Sequence, residues 1–223
     1  MRERPSRPAL YTVDAVLVTA MGSELAILLG RNSSDRERWS LPWRIPQTGE
    51  TLDAAAATTA KDAIGELPTW VEQIGAFGDG KRHPSEADVS VAYVGLIPHQ
   101  TASLRAGHTW FPVANPPPLA PRQRAMVDGA TKTLQSSLDQ APIAFRLLPA
   151  TFTLSELQQM YELLLGKRLH KASFRRALQA AWLVEPMDEW RSEGRGRPAQ
   201  LFRYLPKKKR RPHRGVRFDF LYP

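Results

Sequence analysis

Between Lys171 and Ala181 the residues best suited to chemistry fall on one side of a predicted helix. With Phe174 set at 0° and about 100° per residue, Gln179 lies near 140°, Ala172 near 160° and Arg176 near 200°. Lys171, Ser173 and Arg175 flank this stripe. Small side chains let a helix approach base edges closely, and an arginine can bond guanine O6 and N7 together. A solvated helix face is the plainer reading of the same stripe. Further on, the glycines of Gly194-Arg195-Gly196-Arg197 would let the backbone come close enough for Arg195 or Arg197 to enter a minor groove. Arg–Gly runs also serve simply as flexible loops. The run Lys207 to Arg211, with Arg214 and Arg217, fits phosphate attraction better than sequence reading.

Acidic and metal-ligating residues are sparse by comparison. Asp53 and Asp62 sit on a predicted helix, Leu52 to Ile64, but nine residues apart they are turned by about 900°, onto opposite sides. Glu66 follows the helix stop at Gly65. None of the five histidines (His83, His99, His108, His170, His213) is spaced as a metal pair, and each is expected at the surface. Gly78-x-Gly80 lacks the strand–helix setting of a phosphate loop and reads as a turn. There are no cysteines, which excludes disulfides and thiolate metal sites and fits a reducing cytoplasm.

The elements that must hold the basic stripe follow from local signals. Thr153 and Glu156 form a capping box, and Leu157, Met160, Tyr161 and Leu164 make one apolar helix face ending at Gly166. The second helix would bury Phe174, Ala177, Leu178 and Ala181. Leu183-Val184 and Gln200 to Leu205 can then pair as a hairpin, completing a winged helix-turn-helix. Charge separates this part from the rest. Residues 1–141 carry 14 Lys+Arg against 15 Asp+Glu, a net of −1, whereas residues 142–223 carry 17 against 7, a net of +10. We therefore expect two domains, 1–141 and 142–223, joined through a linker at Asp139 to Pro149, with a polyanion as partner of the second.

In the first domain Tyr11 to Ala20 and Glu24 to Leu29 read as a hairpin turning at Gly22-Ser23, followed by a polar loop over 32–38. Thr51 and Gly65 cap the alanine-rich helix. Thr69 to Phe77, Val89 to Ile97 and Thr109 to Val113 are expected strands, and Arg122 to Leu138 a helix. No apolar run approaches the ~18 residues needed to span a membrane, so a soluble, cytoplasmic protein is expected.

The stretch WSLPWRIPQTGETLDAAAATTAKDAIGE resembles the Nudix motif, G-x5-E-x7-R-E-U-x-E-E-x-G-U with U aliphatic. Its first Glu falls on Glu50 and its late Gly on Gly65. The opening Gly falls on Arg44, the Arg-Glu pair on Thr58 and Thr59, and the Glu-Glu pair on Asp62 and Ala63. In active members those glutamates hold the magnesium that activates water against a diphosphate. Here the resemblance implies a kept loop and helix with the metal site lost, and hence no catalytic residues and no cofactor. Followed by LLPATFTLSELQQMYELLLG and GRGRPAQLFRY, the chain is similar over about residues 10–205 to the NrtR-like, Nudix-related transcriptional regulators. That similarity implies an α/β fold, a Nudix-like α/β/α sandwich followed by a winged helix-turn-helix. It also implies a homodimeric repressor on palindromic double-stranded DNA, NAD-biosynthesis genes as targets, and ADP-ribose or a related nucleotide as effector.

By the same resemblance the Phe77-Gly78-Asp79 loop through Arg82 lies beside the effector pocket; because the chain keeps Gly49-Glu50 and gains Arg44 where no metal site remains, Arg31, Arg44, Glu50 and Arg82 are the candidate ligand residues for a nucleotide anion. An arginine fork there can replace a metal by charge-assisted bonds to phosphate oxygens. Alternatively, Arg44 pairs with Glu50 and Trp43 shuts the pocket. Two departures from the family bear on this choice. Trp43-Arg44 stands where the pattern has Gly-Gly, and Arg122-Gln123 where related chains begin a helix with acidic and aromatic residues. Two other functions fit parts of the sequence: a Nudix diphosphate hydrolase with a rebuilt metal site, and a basic module without sequence specificity.

Overall fold

β-branched and leucine-rich runs on either side of a glycine build the first hairpin, β1 (Tyr11–Met21) and β2 (Glu24–Asn32), with Gly22 at φ +59° in the turn. The structure, a computed structural model, describes residues 9–32, 35–78, 80, 82–98, 104–138, 140–192 and 198–206. β3 (Asp35–Ser40) and β4 (Trp43–Arg44) precede helix α1 (Leu52–Ile64). Then come β5 (Trp70–Phe77), β6 (Val89–Leu96), β7 (His108–Pro112) and helix α2 (Pro121–Ser137). The sheet order is β3-β2-β1-β6-β5, with β4 added to β1 and β7 to β2, and β1 and β6 run parallel.

Strand periodicity of two sends alternate residues of β1 to opposite layers. Ala15 and Leu17 pack with Ala60, Ala63 and Ile64 of α1, whereas Val16 and Val18 pack with Met126, Val127 and Ala130 of α2. This is the expected α/β/α sandwich. α1 is capped as the sequence indicates: Thr51 Oγ1 accepts from Ala54 N–H at 3.2 Å, and Gly65 takes the left-handed conformation at φ 78°.

Two local expectations need correction. Residues 35–38, read as polar loop, belong to strand β3, because backbone pairing with β2 (Gly30 with Ser40, Arg31 with Trp39) needs no apolar period. The segment read as a linker is not a loose tether. A 3-10 turn, Ile143–Leu147, buries Ile143, Ala144, Phe145 and Leu147. The Phe145 ring stacks 4.6 Å from Tyr204 and 5.6 Å from Phe152, so its apolar side chains join the core on either side.

Beyond it lie β8 (Thr151–Phe152), α3 (Leu154–Leu165), α4 (Lys171–Ala181), β9 (Val184–Arg191) and β10 (Ala199–Tyr204), with sheet order β8-β10-β9. β8 has two residues, too few for a sequence pattern. One apolar cluster runs unbroken from the large sheet through α2 and the 3-10 turn into α3 and α4. Gln159 Nε2 also donates to Gly22 O at 3.0 Å, tying α3 to the first hairpin turn. None of the described helices is long and apolar enough to cross a membrane.

Candidate DNA-reading face and sensor pocket

α4 is positioned by its apolar side. Phe174 and Leu178 are fully buried, and the Phe174 ring meets Tyr161 of α3 at 5.4 Å. Helical period then turns Lys171, Ala172, Arg175, Arg176 and Gln179 to solvent, where all five are exposed. Arg175 and Arg176 make no hydrogen bond or ion pair among the described residues, so no internal partner competes for them. Ser173 is half-buried and its Oγ lies 3.2 Å from His170 Nδ1, which places it at the start of the helix rather than on the outward stripe. Arg195, Arg197 and the basic tail 207–223 lie outside the described residues.

The turn between α3 and α4 is held by a residue that the sequence did not single out. Glu162 Oε1 accepts from Leu169 N–H and from Gln158 Nε2, both at 2.9 Å, and Oε2 accepts from Arg168 Nη1 at 3.1 Å. Burial works against the charged carboxylate, but these hydrogen bonds and the arginine charge outweigh it and hold its pKa below the ordinary 4.5. Glu156 serves the wing in the same way. It closes the capping box through Oε2, 2.6 Å from Thr153 N, and accepts from Arg191 of β9 through Oε1 at 2.7 Å.

A depressed carboxylate pKa stabilises the fold above its unfolded value and loses that contribution as pH falls through the folded one. Glu162→Gln should therefore cost about 1–2 kcal/mol at pH 7. The gap to the parent protein should close as pH drops below 4.5. Urea melts at neutral and acidic pH measure both effects. A gap that does not change with pH would remove the charge from this account.

On the other unit, a pocket of 410 Å3 is bordered by Arg38, Trp39, Arg82, His83, Glu86 and the Pro118–Pro121 stretch, among others. Through His83 it adjoins a buried polar network. Ser85 N–H reaches His83 Nδ1 at 3.1 Å, which leaves Nε2–H to donate to Asp14 Oδ1 at 2.8 Å. Gln123 Nε2 donates to the same oxygen at 3.2 Å, and Gln123 Oε1 accepts from Leu41 N–H at 3.1 Å. Thr12 Oγ1 donates to Asp14 Oδ2 at 2.8 Å and lies 2.9 Å from Ser90 Oγ. Arg122 Nη1 donates to Ala87 O at 2.6 Å. His83, expected at the surface, is 4% exposed, because a charge buried in the centre of the sheet requires a partner. One sequence signal could have found this site: the charged Asp14, two residues from Thr12, inside a strand with no other charged residue.

Of the four candidate ligand residues, Arg82 lines this pocket. Arg31 lies with its guanidinium 4.4 Å over the Trp39 ring, a cation–π contact at the pocket wall. Arg44 and Glu50 do not border it. They face each other at 3.7 Å, and Glu50 Oε2 accepts from Gln47 N–H at 2.8 Å. The pairing alternative thus describes Arg44. Trp43 stands edge-on to His83 at 5.4 Å.

The Nudix helix does not suit a magnesium ion. Thr58 and Thr59 spend their hydroxyls on Ala54 O and Ala55 O, at 2.9 and 2.7 Å, Ala63 is buried, and Asp62 alone offers a carboxylate. Asp53 Oδ1 is taken by the Tyr93 hydroxyl at 2.8 Å. Burial, then that bond and the Asp53 charge, push the Tyr93 pKa up to about 12. Magnesium held by protein alone needs more oxygen ligands than this helix offers.

A family model described as the NrtR DNA-binding winged helix domain matches residues 144–204. The ADPR responsive transcriptional repressor NtrR of Acinetobacter baylyi is 30% identical over 205 residues, covering 87% of this chain and 82% of that one. The crystal structure of Shewanella oneidensis NrtR complexed with a 27mer DNA is similar at TM-score 0.78 and 29% identity, covering 87% of this chain and 93% of that one. The NUDIX domain of the same protein complexed with ADP ribose is similar at TM-score 0.50 and 25% identity, covering 60% of this chain and 94% of that one.

Proposed function

Since this chain belongs to the NrtR family of Nudix-related transcriptional regulators, we propose that it is a dimeric repressor of cofactor-metabolism genes, NAD biosynthesis foremost, whose DNA affinity falls when a nucleotide such as ADP-ribose enters the sensor pocket. The reader is residues 142–223 and the sensor residues 1–141. The observation that carries the reading is the exposed Arg175–Arg176 stripe on α4, without a hydrogen-bond or ion-pair partner among the described residues and presented by a helix-turn-helix whose turn is locked by Glu162. Such a helix enters the major groove with its N-terminal half against base edges. Two half-sites one helical turn apart, about 34–36 Å, are then expected on a palindromic operator.

In the sensor, Arg82 and the Arg31-backed indole of Trp39 offer a phosphate partner and a stacking wall for a nucleotide. Arg44 is less suited to that task, being matched with Glu50. The magnesium positions carry hydroxyls already bonded to helix carbonyls, which supports sensing over hydrolysis. The effector shifts the equilibrium only if it binds the DNA-incompetent arrangement more tightly. A coupling of ~1–3 kcal/mol gives roughly 5- to 150-fold weaker operator binding.

The test is to select bound genomic fragments with the purified protein, then titrate ADP-ribose by calorimetry and by operator anisotropy. Expected are operator release by the parent protein, little release by Arg82→Ala with its basal DNA affinity intact, and recovery of ADP-ribose unhydrolysed in the presence of magnesium. Operator affinity unchanged at millimolar ADP-ribose would end the sensing assignment. Magnesium-dependent turnover abolished by Asp62→Ala would restore an enzyme.

A further inference from the structure

Arg176 apart, the outward arc of α4 is neutral along its whole length. With Phe174 at 0° and about 100° per residue, Gln179 lies near 140°, Ala172 near 160°, Arg176 near 200° and Ala180 near 240°, and all four are exposed. The last turn is the unusual part. An exposed helix end favours Lys or Arg there, because the free carbonyls attract a cation. Contact with DNA phosphates would favour a cation at the same place. α4 has no basic residue in its last turn and exposes Gln179 and Ala180 instead. The other cations stand to one side, Lys171 near 60° and Arg175 near 100° at the same angular step of about 100°. The Gln179 amide, like the Arg176 guanidinium, makes no hydrogen bond among the described residues.

A neutral arc suits base edges better than backbone. Gln can bond adenine N6 and N7 together, as Arg does guanine O6 and N7. Thymine alone offers the groove an apolar group, its methyl, which a side chain as small as Ala can meet. An end-on helix would leave Gln179, the ninth of eleven residues, outside the groove.

We propose that α4 lies lengthwise in the major groove and reads an ordered set of base pairs: A·T with its thymine methyl against Ala172, G·C with its guanine under Arg176, and A·T with its adenine under Gln179. This names the sequence read by the face already assigned to DNA, and it rests on that assignment. A rise of ~1.5 Å per residue separates Ala172 from Arg176 by about 6 Å along the axis, and Arg176 from Gln179 by about 4.5 Å. At ~3.4 Å per base pair these intervals are about two steps and about one. Each half-site therefore carries a G·C pair with A·T next to it on one side and A·T two pairs away on the other. Lys171 and Arg175 meet phosphates of one groove wall and add affinity without preference.

Selection from random duplexes, with the full-length parent and variants, tests the order. The parent should enrich the pattern above. Gln179→Ala should accept any base beside the guanine, losing roughly 5- to 150-fold in discrimination there, and Gln179→Arg should choose guanine instead of adenine. Replacing the thymine by deoxyuridine removes only the methyl and should weaken the parent about fourfold, but not Ala172→Gly. Thermal melts of both Gln179 variants should match the parent, since the side chain is exposed. A Gln179→Arg protein that keeps the parent's preference overturns the proposal, as does equal binding of thymine and uracil sites. If Arg176→Ala still relaxes one position in either case, the DNA-reader assignment stands without this order of bases. A parent protein that enriches no sequence removes both.

Discussion

Asp14→Ala is expected to lower the unfolding free energy by about 2–6 kcal/mol, the cost of leaving two buried hydrogen-bond donors without an acceptor at about 1–3 kcal/mol each. Asp14 is fully buried, and its two oxygens receive His83 Nε2, Gln123 Nε2 and the Thr12 hydroxyl. Alanine leaves His83 and Gln123 with buried donors that lack an acceptor, at about 1–3 kcal/mol each. Thr12 loses less, since its hydroxyl can swing to Ser90 Oγ at 2.9 Å. Asp14→Asn separates charge from hydrogen bonding: one amide oxygen still accepts from His83, and the cost should be nearer 1 kcal/mol. Urea denaturation of the three proteins measures the order. A loss below about 1 kcal/mol for alanine would mean that water reaches the network, contrary to its geometry. Because His83 and the start of α2 also border the pocket proposed for the effector, the alanine variant should respond to effector poorly at temperatures where it remains folded.

Arg176→Ala should weaken binding to the selected operator by about 1–3 kcal/mol and relax preference at one base position, as expected when a bidentate pair of hydrogen bonds to a base is removed. Arg176 is exposed on α4 and holds none of the described structure together, so its removal should leave the thermal melt unchanged. Lys171 and the tail act differently. Deleting residues 207–223 should weaken all DNAs alike and flatten the salt dependence by roughly 0.9 for each phosphate the tail no longer neutralises. Competition titrations against selected and random duplexes over a range of salt distinguish the two effects. If both variants change selected and random DNA in the same ratio, Arg176 is not a base reader.

The helices of the reader were legible because each is specified by residues close together in the chain. The Thr153–Glu156 capping box spans three residues, the Leu157–Leu164 face two turns, and Gly166 ends the helix with a left-handed φ of 67°. The alanine-rich helix and its caps, and the hairpin at Gly22, were legible for the same reason. That the motif's Arg-Glu pair falls on Thr58 and Thr59 and its Glu-Glu pair on Asp62 and Ala63 was legible too, being a matter of sequence alone. The buried network beside the pocket depends on tertiary structure. Asp14 meets His83 across 69 positions and Gln123 across 109, and no periodicity or spacing links residues so far apart. Only closure of the sheet beneath α2 brings them together and turns His83 inward. Pairing with β2 likewise made a strand of residues 35–38, and burial against Phe152 and Tyr204 made a packed turn of the supposed linker. The sequence alone therefore determined which helices form and where they stop. Which buried polar groups satisfy one another was decided by the assembled fold, since a hydrogen bond depends on distance in space and not along the chain.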